Sequence, residues 1–301
     1  YPSPGFWEWD SFSSFSGDNM DEHIIEAAGR CRVIVRDGKV VEVGSPLISD
    51  CPLARRFACP VNEMTSEAIR DNIQNRIDSF GMCTPGRELT SDEVFVGFGA
   101  SEIISTALKS RFIDAAVIVC DGAGTVVVTK PEMAQGIGGR MSGLISTSPI
   151  PDVIRRIEDE GGIVVDPDHA FLDPIAGVHA AKMAGYEHLI VTIHNPEDAR
   201  AIREYDSDAI IIAVHTTGYS HEDAEKVRQY ADIVTACASQ TIREICGPCA
   251  ILQAGSTVPV YALTSGGKHL ILLRMAAIEY PLFVTHADLP VSGEKSPHPL
   301  I

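Results

Sequence analysis

Positive charge is scarce in this sequence: Lys and Arg number 24 against 41 Asp and Glu, a formal net charge of −17. Binding to a phosphate backbone requires clustered cations, so this balance argues against nucleic acid as a partner. It favours solubility and still leaves room for local basic pockets that take anionic ligands. Long apolar runs are also missing. AIIIAV, within residues 209–214, is among the longest, far short of the ~18 to 20 residues that span a bilayer. The opening YPSPGFWEWDSFSSFSGDN lacks the basic and apolar regions of a secretory leader, which makes a cytoplasmic location the expectation. No HExxH helix, GxSxG elbow or EF-hand loop occurs, so the common hydrolase and calcium signatures are absent.

What is present suits a globular chain. A length of 301 residues with 45% hydrophobic content is enough for one large α/β domain or two smaller ones. Eight cysteines in a cytoplasmic chain are expected to be reduced. Residues 1–19 hold both Trp residues, Trp7 and Trp9, with Tyr1, Phe6, Phe12 and Phe15, and show no helical or strand period. They read as an appended or flexible leader, or as an aromatic segment that docks in a groove.

Residues 20–92 read as a hairpin-and-helix section. CRVIVRDGKVVEVG places two β-branched runs about Asp37-Gly38, a pair suited to the positive φ angles of a tight turn. An irregular connection follows. TSEAIRDNIQNRIDSFG then supplies an N-cap at Thr65 or Ser66, an apolar face of Ile69, Ile73 and Ile77, and a stop at Gly81. From Val94 short β-rich runs alternate with helical segments, beginning with VFVGF, SEIISTALKSRFI and AAVIVC. The strands at 189, 210 and 233 recur at the spacing of a strand, a helix and two turns, which indicates a parallel sheet buried on both faces. VPVYAL and KHLILLRM look like a closing hairpin, and residues 291–301 like a tail. The expected fold is α/β: an open, mostly parallel sheet with helices on both faces, Rossmann-like in layering, over 93–290. A closed eight-strand barrel is the alternative.

Ligands of open α/β sheets gather beyond the carboxyl ends of the strands. The residues there include Asp121, Asp166, His194, Asn195, His215 and Cys237. Asp121 and His215 are the acid–base candidates, although such residues also cap helices and satisfy loop amides. Gly122, Gly124, Gly136, Gly138 and Gly139, with Arg140, form a glycine-rich run that could bring amide groups and a guanidinium to a phosphate or carboxylate. It matches neither GxGxxG nor a Walker loop, and a loop without a ligand is the plainer reading.

The stretch REICGPCAIL carries Cys246 and Cys249 as CGPC. Thioredoxin-type exchange needs this tetrapeptide at a helix N-terminus, where the thiolate is stabilised; here it follows a helical segment, so the dipole opposes that role. Two thiols in a CxxC turn can instead hold zinc or an iron–sulfur cluster, with Cys237 and a remote thiol such as Cys83 completing the set. Cys51 and Cys59 are further loop thiols, and reduced cysteines in loops and packing are the competing reading.

MDEHIIEAAGRCRVIVRDGKVVEVG, FGMCT, AAVIVCDGAGTVVVTKPEMAQGIGGRMSGLISTSPIP and ADIVTACASQTIREICG together resemble the methanogenesis marker protein 8 family of methanogenic archaea, from Met20 to about residue 290. The resemblance implies a cytoplasmic archaeal protein connected with methane formation, an accessory to methyl-coenzyme M reductase, its maturation machinery or a neighbouring cofactor-dependent step. It transfers no catalytic residues. An anaerobic setting makes reduced thiols and an oxygen-sensitive cluster credible. Three functions stand beside each other: an accessory protein holding a metal, cluster or anionic cofactor; a small-molecule enzyme for a phosphate- or carboxylate-bearing substrate; and a scaffold, including a homo-oligomer, with no site.

Overall fold

Asp37 and Gly38 turn a hairpin with φ of 49° and 66°, the left-handed geometry that a two-residue turn requires. In this computed structural model, which describes residues 21–140, 143–293 and 295–301, that hairpin belongs to a four-stranded sheet. The expected leader over residues 1–19 lies outside the described residues. The sheet starts with β1 (Glu22–Ala27), β2 (Cys31–Arg36) and β3 (Lys39–Val43). Alternation along β1 buries His23, Ile25 and Ala27 and leaves Glu22, Ile24 and Glu26 half-buried on the opposite face. The helix α1 (Ser66–Phe80) closes the core with Ile69, Ile73 and Ile77. Thr65 caps it by accepting from the Ala68 amide at 3.1 Å, and Gly81 ends it at φ 72°.

VFVGF is irregular rather than a strand. The carboxylate of Glu102 accepts the Phe95 and Val96 amides at 3.1 and 3.2 Å, which removes two donors from any ladder. Glu102 lies in α2 (Ala100–Lys109), which leads into the antiparallel hairpin of β4 (Ala115–Cys120) and β5 (Gly124–Val128). After α3 (Pro131–Gly138), the strand β6 (Gly143–Thr147) crosses to the smaller sheet and pairs with β1, giving the order β3-β2-β1-β6.

The rest alternates as its period indicates: α4 (Pro151–Asp159), β7 (Ile163–Val164), α5 (Pro174–Met183), β8 (Leu189–Ile193), α6 (Pro196–Tyr205), β9 (Ile210–Ala213), α7 (His221–Tyr230) and β10 (Ile233–Thr235). Pro151, Pro174 and Pro196 start their helices where no amide hydrogen is needed. The last elements are α8 (Gln240–Ile245), β11 (Leu252–Ala254), β12 (Val260–Ala262) and α9 (Ser265–Ala276). VPVYAL supplies β12, but its hairpin partner is β11. KHLILLRM is helical, within α9, because Thr264 accepts the Gly267 amide at 3.2 Å and caps a short apolar run that fits either element by pattern.

The larger sheet is open, with the order β11-β12-β10-β9-β8-β4-β5-β7, so its two free edges exclude a closed barrel. The β4–β8, β8–β9 and β9–β10 pairings are parallel. The others are antiparallel, which corrects the expectation of a mostly parallel sheet to a parallel centre with antiparallel flanks. Hairpins such as β4–β5 and β11–β12 have connections too short for anything else. Ile118, Ile190, Ile212 and Ile233 share one core with Ile103 of α2, Ile137 of α3, Ile154 of α4 and Ile271 of α9. Val117, Val191, Ile211 and Val234 share another with Val178 of α5, Ile202 of α6, Val227 of α7 and Ile242 of α8. Burial on both faces accounts for the nearly unbroken Ile, Val and Ala content of these strands. Among the described residues, no helix is long and apolar enough to cross a membrane.

Candidate functional site

Parallel strands deliver the residues that follow them to one edge. His194 follows β8 directly, and His215 and Cys237 each lie two residues beyond β9 and β10. The smaller sheet meets this edge through β1 and β6. Gly143 stands opposite Glu26 in the ladder, and a Cβ placed on it would lie 3.2 Å from Glu26 Cβ and 3.4 Å from His215 Cγ. The missing side chain therefore lets the His215 ring and the base of the Glu26 side chain both pack against the Gly143 backbone. Arg30 Nε is 3.6 Å from Glu26 Oε2, and its guanidinium packs on Gly218 in the loop that carries His215. Thr217 Oγ1 accepts the Ala238 amide at 3.2 Å and ties this loop to the one after β10. The Tyr219 hydroxyl donates to the His194 carbonyl, and its ring is tilted against the His194 ring with centroids 6.0 Å apart.

The backbone here is held under constraint. Arg30, His215 and Cys237 have φ of 58°, 54° and 45°. Such left-handed conformations are uncommon for residues of these types and cost of order 1 kcal/mol each, so they persist where surrounding contacts enforce them. Among the described residues, seven non-glycine residues have positive φ, and three of them meet at this edge. That concentration distinguishes the edge from an ordinary set of loops.

Burial raises the Glu26 pKa, an effect opposed by the charges of His194 and Arg30. Burial, reinforced by His194, pushes His215 down to about 4, so its imidazole is neutral at pH 7. Burial also raises the Cys237 thiol; hydrogen bonds from Thr216 oppose the rise, while Glu26 and Cys51 add to it. None of these groups is sealed, for Glu26, His215 and Cys237 are only half-buried and His194 is exposed. Titratable groups with perturbed pKa values gathered at one strand-end edge mark a candidate functional site. This edge offers a carboxyl group that can give or take a proton, a neutral imidazole that can donate a hydrogen bond, a thiol, and a cation for an anionic ligand.

Residues 23–276, from the first strand to the last helix, match the family described as an uncharacterized protein conserved in archaea, DUF2099. The chain belongs to that archaeal family. It is also similar, at 41% identity over 285 residues, to an uncharacterized protein of Methanocaldococcus jannaschii, with 94% of this chain and 100% of that protein covered. Glu26, Arg30, His194, His215 and Cys237 of the DUF2099 chain all fall within the family match.

Of the two acid–base candidates, the DUF2099 chain places His215 at the edge and commits Asp121 elsewhere. Asp121 Oδ1 accepts from Arg87 Nε at 2.9 Å and Oδ2 from the Cys83 amide at 2.5 Å, with both side chains of the ion pair fully buried. Arg87 directs its other nitrogens to the carbonyls of Glu88, Gly136 and Ile137. A buried pair satisfied in this way anchors structure, and the acid–base role expected of Asp121 is corrected accordingly.

The glycine-rich run is also corrected, from a ligand cradle to a packing surface. Gly122 and Gly124, at φ 81° and 69°, shape the β4–β5 turn, and the Gly122 amide already donates to Thr147 Oγ1 at 2.7 Å. A Cβ on Gly136 would fall 2.5 Å from the Leu89 carbonyl oxygen, on Gly138 3.2 Å from Ser101 Cβ, and on Gly139 2.6 Å from the Phe95 ring. The space left by each absent side chain is filled by protein. Arg140 pairs with Glu88 and lies 5.2 Å from the centre of the Phe80 ring.

The four thiols named as metal ligands do not assemble. Cys237 is at the edge, Cys83 is buried beside Asp121, Cys246 is buried at the end of α8 with its sulfur 3.6 Å from the Ala224 carbonyl, and Cys249 is exposed. Burial pushes the Cys246 thiol up to about 12. Among the described residues, no group of three or more His, Cys, Asp or Glu side chains is placed to hold a metal ion. Within CGPC, the turn Gly247–Cys249 follows the helix end, as its order in the chain requires. Glu26 and Arg30 are the residues that sequence reasoning missed. They lie in and just after a strand whose pattern signals only a half-buried sheet, and the glycine that aligns Glu26 with His215 is 117 residues away from it, between Glu26 and Gly143.

Proposed function

We propose that this DUF2099 chain binds a small anionic metabolite at the edge where its two sheets meet and carries out acid–base chemistry on it. The juxtaposition of Glu26 and His215 across Gly143, with Arg30 alongside, carries this reading. In it Arg30 takes the carboxylate or phosphate of the ligand, Glu26 gives or accepts a proton, and the neutral His215 imidazole polarises an oxygen. Treating the larger sheet as a Rossmann-like unit supports the location, because the strand ends of such sheets are where ligands gather. The likeness to the methanogenesis marker protein 8 family supplies the setting: a cytoplasmic step near methyl-coenzyme M reductase or its maturation. Zinc or an iron–sulfur cluster held by the four thiols would require Cys83 and Cys246 to leave buried positions, and nothing in their surroundings favours that.

Thermal denaturation with a panel of inorganic phosphate, phosphate monoesters, monocarboxylates and dicarboxylates tests the proposal. A ligand at about 100 times its Kd stabilises the folded chain by roughly 2.7 kcal/mol. At least one compound should raise the midpoint of the unaltered chain and fail to raise that of Arg30→Asn, a substitution that tolerates the left-handed backbone. If no compound acts, or Arg30→Asn responds equally, the edge is not an anion site.

A further inference from the structure

The edge that carries His215 and Cys237 is crossed by a late segment of the chain. Upstream of it, Val291 is pinned on both sides by the Gln253 amide group, at 2.7 and 2.8 Å. Residues 295–301 then run without helix or strand from the smaller sheet's connection to the larger sheet's loops. At one end, the Ser49 and Asp50 amides donate to the His298 carbonyl at 2.7 and 3.0 Å, and the His298 amide donates to the Asp50 carbonyl at 2.9 Å. The Ser49 hydroxyl donates to the same His298 carbonyl at 3.0 Å. At the other end, the Ile301 amide donates to the Ala238 carbonyl at 2.9 Å, and its oxygen accepts the Gly218 and Gln240 amides at 3.2 and 3.1 Å.

Those last contacts fall on the two loops that matter. Ala238 adjoins Cys237, and Gly218, three residues beyond His215, is the glycine on which Arg30 packs. The attachment is almost entirely main chain, concentrated at two points. Between them Pro299 and Leu300 are only half-buried, and Pro297 is the segment's one buried side chain, so limited apolar burial holds the segment down. A segment with these properties opens locally at a small fraction of the free energy of global unfolding.

We propose that residues 295–301 are a strap along the edge, whose lifting widens access to the half-buried His215 and Cys237. Closed, it joins Asp50 on the smaller sheet's side to Ala238 on the larger; open, it frees the side of the edge where Gly218 and Ala238 lie. This rests on the reading of the edge as a ligand site, and it adds that access to the site is controlled.

The test is the rate at which iodoacetamide alkylates Cys237, followed by peptide mass spectrometry. Three forms are compared: the intact chain, a chain lacking residues 295–301, and Asp50→Cys/His298→Cys in a Cys51→Ser background. Residues 50 and 298 form a hydrogen-bonded antiparallel pair, whose Cα separation of about 5.5 Å suits a disulfide. Deletion should speed alkylation of Cys237 at least tenfold. The oxidised double variant should be alkylated at least tenfold more slowly than the same protein after reduction. The other native cysteines, resolved as separate peptides, report any general loosening. Equal Cys237 rates in the oxidised and reduced double variant overturn the strap, and that comparison decides the matter even if the shortened chain does not fold. Because alkylation needs no ligand, this outcome leaves the anion reading standing. Conversely, a phosphate and carboxylate panel that fails to stabilise a strap-released chain removes the anion reading and leaves the strap.

Discussion

Replacing His215 with Asn should change how the chain's stability depends on pH, by an amount set by the burial of its ring. Burial first, and the charge of His194 second, hold the His215 pKa at about 4 in the folded chain, against an ordinary value of 6.5. The unfolded chain therefore takes up the proton more readily. Neutral His215 contributes its full stability above pH 6.5 and loses it as the pH falls towards about 4. That interval corresponds to no more than about 3.4 kcal/mol, and the remaining exposure of the side chain lowers the expectation to roughly 1–2 kcal/mol. Asn tolerates the φ of 54° at this position, so the substitution removes the titration with little backbone strain. Urea denaturation of both proteins between about pH 7.5 and pH 4.5 isolates the effect, since other titrating groups cancel in the difference. The advantage of the unaltered chain over His215→Asn should shrink by roughly 1–2 kcal/mol across that range. A difference that stays flat within about 0.5 kcal/mol would mean that the imidazole is solvated rather than held in a desolvated position. His194→Gln should keep the pH dependence and reduce it, because only the second cause is removed.

Glu26 gives the opposite sign: its folded pKa is raised by burial, so its contribution is complete below 4.5 and lost as the pH rises through the folded value. Glu26→Gln should therefore gain stability over the unaltered chain at pH 7 and lose that gain near pH 4, as measured by the same denaturation series; no change in the gap would place Glu26 in open water. Asp121→Asn leaves the buried Arg87 guanidinium without its counter-charge and should cost about 3–5 kcal/mol, seen as a lower thermal midpoint. A loss below about 1 kcal/mol would show that the pair is hydrated. Gly136→Ala sets helix propensity, worth about 1 kcal/mol in favour of Ala, against a Cβ 2.5 Å from the Leu89 carbonyl oxygen. Steric crowding should win, with a net loss of stability in urea; a gain would reopen the glycine run as free space.

The elements written in a local code were legible in the sequence. Asp37-Gly38, the Thr65 cap, the Gly81 stop and the recurring strands near 189, 210 and 233 each follow from interactions among residues close in the chain. Failures occurred where one specific hydrogen bond or a tertiary contact decided against the composition of the run. VFVGF has strand composition, yet a carboxylate from the next helix takes its amides. KHLILLRM is short and apolar, and the Thr264 cap decides for helix what periodicity leaves open. The glycines of α3 suggest a flexible anion loop by composition, but a neighbouring backbone occupies the room they leave. His194, His215 and Cys237 were visible as strand-end residues because topology alone places them. Their partners were not, because only tertiary pairing brings Glu26 and Arg30 to the same edge.

This division has a physical consequence for how the site is held together. The larger sheet supplies the imidazoles and the thiol, while the smaller sheet supplies the carboxyl group and the guanidinium, so the edge exists only when the two sheets are docked. The strand β6 enforces the docking, since it leaves the larger domain's sequence to pair with β1 beside Glu26. Thr147 at its far end accepts the Gly122 amide at 2.7 Å from the turn after β4, and also bonds to buried His23 of β1 at 2.5 Å. One hydroxyl thus joins both sheets at a buried point, where loss of a partner leaves polar groups unsatisfied and is costly. The strap adds a third link, from Asp50 to Ala238, but on the exposed side and through main-chain bonds that open more easily. A rigid buried tie and a weak outer one on the same junction keep Glu26, His215 and Cys237 in register while leaving the strap free to move.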